Sequence, residues 1–488
     1  MPELHELSAL EQWDALHRGE VGPLDLVRHY LDRIERVDGD AVPDDERLGA
    51  FTAIDREGAE ARASGLGDLV PRTAALWGLP FADKDLVARA GVLTRYGSKL
   101  FRDNVPTRSD DLALVMDRAG GVSLGKTATP EFGMYGYTTS LIGPPTRNPW
   151  DRSRGSGGSS GGAAAAVAAR LLPFAPASDG GGSIRIPAAA CGLVGVKPSR
   201  GLVPSASGID KLAGLPVAGP IARTVADAAF LLDRMIERRR GRIDHRFTLR
   251  APDVDDGPLL GHAIRGEGRF QLAVLNGTPW DTAYDIRIDD GAQAAVDRAV
   301  ETLAGMGHGI EEIGLRDAEV YPDAFRTIWQ ASAAGIPART PEQLALLEPI
   351  TRILVERGRA LSAETLLDTL AVLARFEQSV IAQFAAYDAV ITPSLARAPI
   401  PIGSYDLESP ERNFEQQVLD APHTSFVNVT GLPAITVPVH HVAGVGPEGI
   451  PAGVQLIGRP GGEAALFAIA AQLERRFHWA ERVPAIGR

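Results

Sequence analysis

The sequence predicts an α/β protein, with helices packed around one large sheet that reads as mixed and mostly parallel. Three observations carry this. Apolar runs of strand length alternate with helical stretches along most of the chain. Glycine and proline are present in ordinary proportion, as in a globular chain. Apolar residues make up 44% of the 488 positions against 23% charged, which is enough to fill a large core.

The elements follow in order. Ser8-Ala9-Leu10-Glu11 is a capping box opening a first helix, and Asp25 to Val37 reads as a second. Gly78 to Asp85 is an apolar, strand-like approach to Lys84. Ser109 to Ala119 is an amphipathic helix, followed at once by a strand from Val122 to Leu124. Ala163 to Arg170 is an alanine-rich helix, and Leu172 to Ala177 a strand leading into a glycine run. Gln271 to Leu275 is a strand. Over 290–304, Ala292, Ala295, Val296, Ala299, Val300 and Leu303 share one helical face. Ala389 to Thr392, Ala434 to Val439 and Ala452 to Ile457 are short strands, and a final helix runs from about Glu463 to Phe477.

No repeat or low-complexity linker divides the chain, so 1–488 is expected to be a single domain. Within it, 75–233 is a core rich in Gly, Ser and Ala, 235–425 a segment poor in motifs where a substrate pocket can be built, and 426–488 a return to the sheet. The polar stretch 235–255, with Arg238-Arg239-Arg240, reads as a solvated connector. Tyr321, Phe325, Trp329, Phe384 and Tyr405 are candidates for core or pocket wall.

Bulk charge and cysteine usage exclude several functions. A formal charge of −12 argues against nucleic acid or anionic membrane as a partner. No 18-residue apolar run exists to span a bilayer, and Met1–Glu20 lacks a basic segment followed by an apolar one, so a cytoplasmic protein is expected. Cys191 is the only cysteine, which rules out an internal disulfide and a cysteine-ligated metal. Self-association is left open.

The chemistry concentrates in two serine-bearing glycine runs whose serines lie 24 residues apart: Gly157-Gly158-Ser159-Ser160-Gly161-Gly162 and Asp179-Gly180-Gly181-Gly182-Ser183. A serine ending three glycines sits beside unencumbered backbone donors, as a nucleophile with an oxyanion hole requires. Of the 50 basic residues only five are lysines, and Lys84, Lys99, Lys126, Lys197 and Lys211 all fall between 84 and 211. A buried lysine can lose its proton near neutral pH, whereas an arginine cannot. Lys84, at the end of its apolar run, is therefore a candidate base, and Lys99 and Lys211 read as structural.

Three short patterns compete for the same residues. Gly120 to Thr127 matches a phosphate loop, but a helix precedes it and a strand runs through it. Gly157-Gly158-Ser159-Ser160-Gly161 matches a nucleophile elbow, but follows a turn-rich Arg147–Asp151 stretch and would need His423, His440 or His441. Ser123 and Lys126 fit Ser-x-x-Lys without its partner motifs.

The segment from Gly125-Lys126-Thr127 through Pro130-Glu131-Phe132-Gly133, Thr146 to Asp151 and both glycine runs resembles the amidase signature family. So do Cys191 to Pro198 and Phe426 to Ala434; the likeness is dense over 75–233 and weak between about 235 and 420. The resemblance implies the fold of that family, a large α/β/α sandwich, and a Ser–cis-Ser–Lys triad. Ser183 matches the nucleophile, Ser159 the bridging serine preceded by a cis peptide, and Lys84 the base. It implies an oxyanion hole from the amides of Gly180, Gly181, Gly182 and Ser183, with Ser160, Asp179 and Arg185 in support. Gly180 replaces the Thr or Ile common there.

Phe132, Gly133, Met134 and Tyr135 are expected to border the pocket. The expected reaction is hydrolysis of a small-molecule amide through an acyl-enzyme, with no metal or cofactor. An aryl or apolar acyl group is favoured, with anilide, ester or carbamate bonds open. The glutaminase component of a tRNA-dependent amidotransferase and an α/β-hydrolase-type esterase are the alternatives. Ile186, where that glutaminase carries Gln, and Gly201-Leu202-Val203-Pro204-Ser205, where it carries Ser-Arg-Tyr-Gly, favour a stand-alone enzyme.

Overall fold

The computed structural model describes residues 3–203, 212–236, 251–252 and 256–488. Lys211, Arg238-Arg239-Arg240 and most of the 235–255 connector lie outside the described residues.

Strands β1 (Phe51–Ile54), β2 (Pro80–Lys84) and β3 (Val122–Thr127) form a small sheet with β3 in the middle. A hairpin follows, β4 (Arg147–Asn148) and β5 (Asp151–Gly155), where the sequence reading had only turns. The main sheet contains β6 (Phe174–Asp179), β7 (Val194–Lys197), β8 (Val217–Ala222), β9 (Gln271–Asn276), β10 (Gly309–Gly314), β11 (Ala389–Pro393), β12 (Ala434–Val442) and β13 (Ile450–Gly458). Its order is β10-β9-β11-β13-β12-β7-β8-β6.

The sheet is mixed, as expected, but antiparallel pairs predominate. Only β10/β9 and β9/β11 are parallel; the other five neighbours run antiparallel. Helix–strand alternation suggests parallel crossovers, yet β12 and β13 are joined by the short loop 443–449, a connection only antiparallel strands can use.

Side chains alternate between two cores. Leu272, Ile391, Ile435 and Leu456 pack on one side, Ala273, Val390, Ala434 and Ile457 on the other. The first face is covered by the helices Gly161–Ala168, Val225–Met235, Asp290–Gly305 and Glu463–Phe477. The second is covered by Tyr321–Ala333, Ala363–Phe384 and Ser425–Val429. Helices on both faces make the layered sandwich.

Local rules hold at the first helix, Ala9–Arg18: Ser8 accepts from the Glu11 amide and the Glu11 carboxylate returns to the Ser8 amide. The helix Gly161–Ala168 is buried along its whole length, between the small and the main sheet, which explains its alanines and glycines. This wedge and the contact of β2 with β6 bring the ends of both strands to one place.

Candidate active site

Three chain segments converge where β2 and β6 end. Lys84 closes β2, Asp179 closes β6 and leads into the glycine run, and Ser159 stands just before the helix Gly161–Ala168. The Gly158–Ser159 peptide is cis. Lys84 Nζ donates to Ser159 Oγ at 2.7 Å and to Ser178 Oγ at 3.2 Å, with the Ser178 carbonyl at 3.4 Å. The lysine is 1% exposed. Burial pulls its pKa from 10.5 to about 7, with the Asp179 carboxylate acting in the opposite direction.

Ser183 sits at the end of the glycine run on the floor of a cleft, 8% exposed. Its carbonyl accepts from the Ser160 amide at 3.2 Å, and Ser160 Oγ donates to the Ser178 carbonyl at 3.3 Å. These two bonds tie one glycine run to the other.

Asp179 organises the loop. Its carboxylate accepts from the amides of Gly182 and Ile184 at 2.8 and 3.1 Å, and from Arg185 Nε and Nη2 at 3.0 and 2.9 Å. Burial acts to raise its pKa, but the adjoining Arg185 guanidinium outweighs burial and holds the carboxyl well below the usual range. Arg185 also donates to Gln455 Oε1 and Asn428 Oδ1, both at 2.6 Å, so the buried pair is fully hydrogen-bonded. The Asn428 amide returns to the Asp179 carbonyl and carboxylate at 2.9 Å each.

This geometry changes the expected donor set. The Gly182 amide is already given to Asp179, leaving those of Gly180, Gly181 and Ser183 without an acceptor among the described residues. Gly182 has a different importance: its φ of +130° suits glycine, and a Cβ there would stand 2.5 Å from Thr424 Oγ1.

The cleft over Ser183 has a volume of about 60 Å³ and mostly apolar walls, including Trp280, Phe325, Trp329, Phe414, Ile186 and Val418. Met134 and Tyr135 line it, with Tyr135 Oη hydrogen-bonded to Thr351 Oγ1 at 2.6 Å. Phe132 does not line it. Its backbone lies at φ 50° and its ring packs edge-on against Phe101. Gly133 borders Ser159 instead: at φ +68°, a Cβ would lie 3.3 Å from Ser159 Oγ and 2.6 Å from Leu86 Cδ1.

The competing patterns separate here. Lys126 lies inside β3 and donates to the Val87 carbonyl, so Gly120–Thr127 forms no anion cradle. A short strand, β5, does precede the first glycine run, so poor context is no objection to the elbow; the hydroxyl's partner is. Ser159 Oγ bonds Lys84, and among the described residues no histidine bonds either serine. Lys197 is as buried as Lys84 but donates to the Pro198 carbonyl. Of the buried lysines among the described residues, Lys84 alone hydrogen-bonds a serine side chain. Sequence reasoning gave no role to Ser178, Thr424, Gln455 or Asn428. Asn428 lay in plain view inside the Phe426–Ala434 stretch, but nothing in that stretch shows that it meets Asp179 from 249 positions away.

The amidase family profile matches residues 25–467. The chain belongs to the amidase family. It is 34% identical to a putative amidase of Synechocystis sp. over 96% of this chain and 88% of that one. It is 32% identical to a glutamyl-tRNA(Gln) amidotransferase component of Thioalkalivibrio sulfidiphilus, over 99% of each chain. It is 31% identical to an acylamidase of Rhodococcus erythropolis, over 99% and 98%. Among solved structures, 6-aminohexanoate cyclic dimer hydrolase superposes over 100% of both chains with a TM-score of 0.86 and 28% identity. This amidase is thus an enzyme that hydrolyses C–N bonds of small-molecule amides. No helix among its described residues is long and apolar enough to cross a membrane.

Proposed function

We propose that this amidase is a stand-alone serine amidohydrolase acting through an acyl-enzyme on Ser183, with a preference for aryl or apolar acyl groups. The observation that carries this reading is the 2.7 Å bond from the buried Lys84 to Ser159, set beside the glycine run that ends at Ser183. Neutral Lys84 takes the Ser159 proton while Ser159 takes that of Ser183, whose oxygen bonds the amide carbon. Negative charge on the former carbonyl oxygen meets the amides of Gly180, Gly181 and Ser183, each such donor contributing about 3–4 kcal/mol in comparable sites. The relay returns the proton to the leaving nitrogen as the C–N bond breaks. Water, deprotonated by the same relay, then displaces Ser183 from the acyl group.

The apolar walls over Ser183 favour an aryl or alkyl acyl group, and carbamate or ester carbonyls fit the same attack. Ile186 lines this cleft, where the amidotransferase glutaminases carry Gln, which supports a free-standing hydrolase over an amidotransferase component. Stopped-flow hydrolysis of 4-nitroanilides and 4-nitrophenyl esters tests the proposal. A burst equal to the enzyme concentration on the esters, with benzoyl and hexanoyl anilides turned over faster than glutamine, is expected. Glutamine as the best substrate would reverse it.

A further inference from the structure

A second, much larger chamber of about 540 Å³ adjoins the cleft. Tyr135, Trp329, Phe414 and Gln417 line both spaces and so form the wall between them. Gln417 also lines a third, smaller cavity beside Gly157 and Ile186.

The orientation of Gln417 is fixed by its neighbours. Its Oε1 accepts from the Gly136 amide at 2.7 Å, so its nitrogen faces Asn413 Oδ1, to which it donates at 2.5 Å. Asn413 is held in turn by giving its own amide to the Asp406 carbonyl and Tyr137 Oη at 2.7 and 3.0 Å. A glutamine amide carries two N–H donors, and the second one of Gln417 meets no acceptor among the described residues. One donor of a residue that lines all three cavities is therefore left over.

The walls of the large chamber state what passes that donor. Arg357 pairs with Glu411 at 2.5 Å, and Arg412 with Glu415 at 2.8 Å. Arg326 bonds Asp323 at 2.8 Å and Tyr284 Oη at 2.9 Å. Every guanidinium of the chamber already has an acidic partner, which offsets its charge toward a ligand. The chamber suits a neutral arm with a hydrogen-bond acceptor.

We propose that the large chamber is a subsite for the far end of an elongated, neutral substrate carrying a second carbonyl, such as a diamide or oligoamide, and that Gln417 is its specificity-determining residue. This rests on the amidohydrolase reading above. Cleavage occurs at the carbonyl over Ser183, while the second carbonyl accepts from Gln417 Nε2 across the aromatic wall.

The test compares N,N′-dibenzoyl-1,6-hexanediamine, its rate counted per benzamide bond, with N-(8-phenyloctyl)benzamide, which keeps the length, the scissile benzamide and the terminal ring but has no second carbonyl. The diamide is expected to show a kcat/KM about tenfold higher, the scale of one neutral hydrogen bond. Gln417→Glu, which keeps the acceptor used by Gly136 and loses the donors, is expected to erase the difference, as is Gln417→Met. Equal kcat/KM for the two substrates in the wild type would overturn the proposal, as would a preference that survives in Gln417→Glu. If neither compound is cleaved while a fluorophosphonate still labels Ser183, the subsite is refuted and the hydrolase reading stands. If Ser183 is also unlabelled, both fall.

Discussion

Lys84 and Ser159 are joined by a 2.7 Å hydrogen bond inside a site from which water is nearly excluded, the lysine and serine each being 1% exposed. The same burial that discourages a charged lysine lowers its pKa to about 7, where the proposed relay needs a base. Chemistry and its energetic cost thus have one origin.

A pH profile should show this directly. With the Lys84 pKa lowered to about 7, the neutral fraction falls tenfold for each pH unit below that value. A plot of kcat/KM for a benzoyl anilide is therefore expected to rise with unit slope up to about pH 7 and then level off. Lys84→Ala should lose about 10²–10⁴-fold in rate.

Stability should also rise with pH, but over a higher window than activity. The folded pKa near 7 lies below the unfolded value of 10.5, so the unfolded chain binds more protons between them. Wild-type stability therefore rises with pH across that window, and the penalty is full at pH 7 and below. Lys84→Met is expected to be inactive yet more stable than wild type at pH 6–7 in urea unfolding, with the gap closing toward pH 10.

Asp179→Asn tests the brace of the glycine run. It leaves the Arg185 guanidinium, 1% exposed, without its carboxylate, a loss of about 3–5 kcal/mol for a buried pair. It also weakens the acceptor that holds Gly182 and Ile184. Denaturant midpoint and kcat should both fall.

Gly133→Ala probes the space beside Ser159. The new methyl must displace Leu86 or crowd Ser159 Oγ, in a backbone conformation that L-residues rarely adopt. Gly133 does not line the substrate cleft. A fall in kcat with KM nearly unchanged is expected from initial-rate kinetics.

Much of this was legible in the chain because it depends on neighbours in sequence. The capping box at Ser8 and the final helix, Glu463–Phe477, follow from local hydrogen bonding and periodicity. Lys84, Ser159 and Ser183 stood out because glycine runs and scarce lysines are visible without a fold. What escaped depends on long-range register. Five antiparallel neighbours in the main sheet arise from pairings between distant strands, which alternation alone does not encode. That Gly182 spends its amide on Asp179, that Phe132 is not among the residues lining the cleft, and that Gln417 stands at a junction of cavities are all products of packing. Residue type suggests none of them.

The most direct test of the Lys84–Ser159–Ser183 relay is mass spectrometry of the intact protein and its peptides after reaction with a serine-directed fluorophosphonate. The relay predicts one adduct per chain, on Ser183, at a rate that rises through pH 7 and is lost in Lys84→Ala. An adduct on Ser159, or labelling of Ser183 that is indifferent to Lys84, would contradict it.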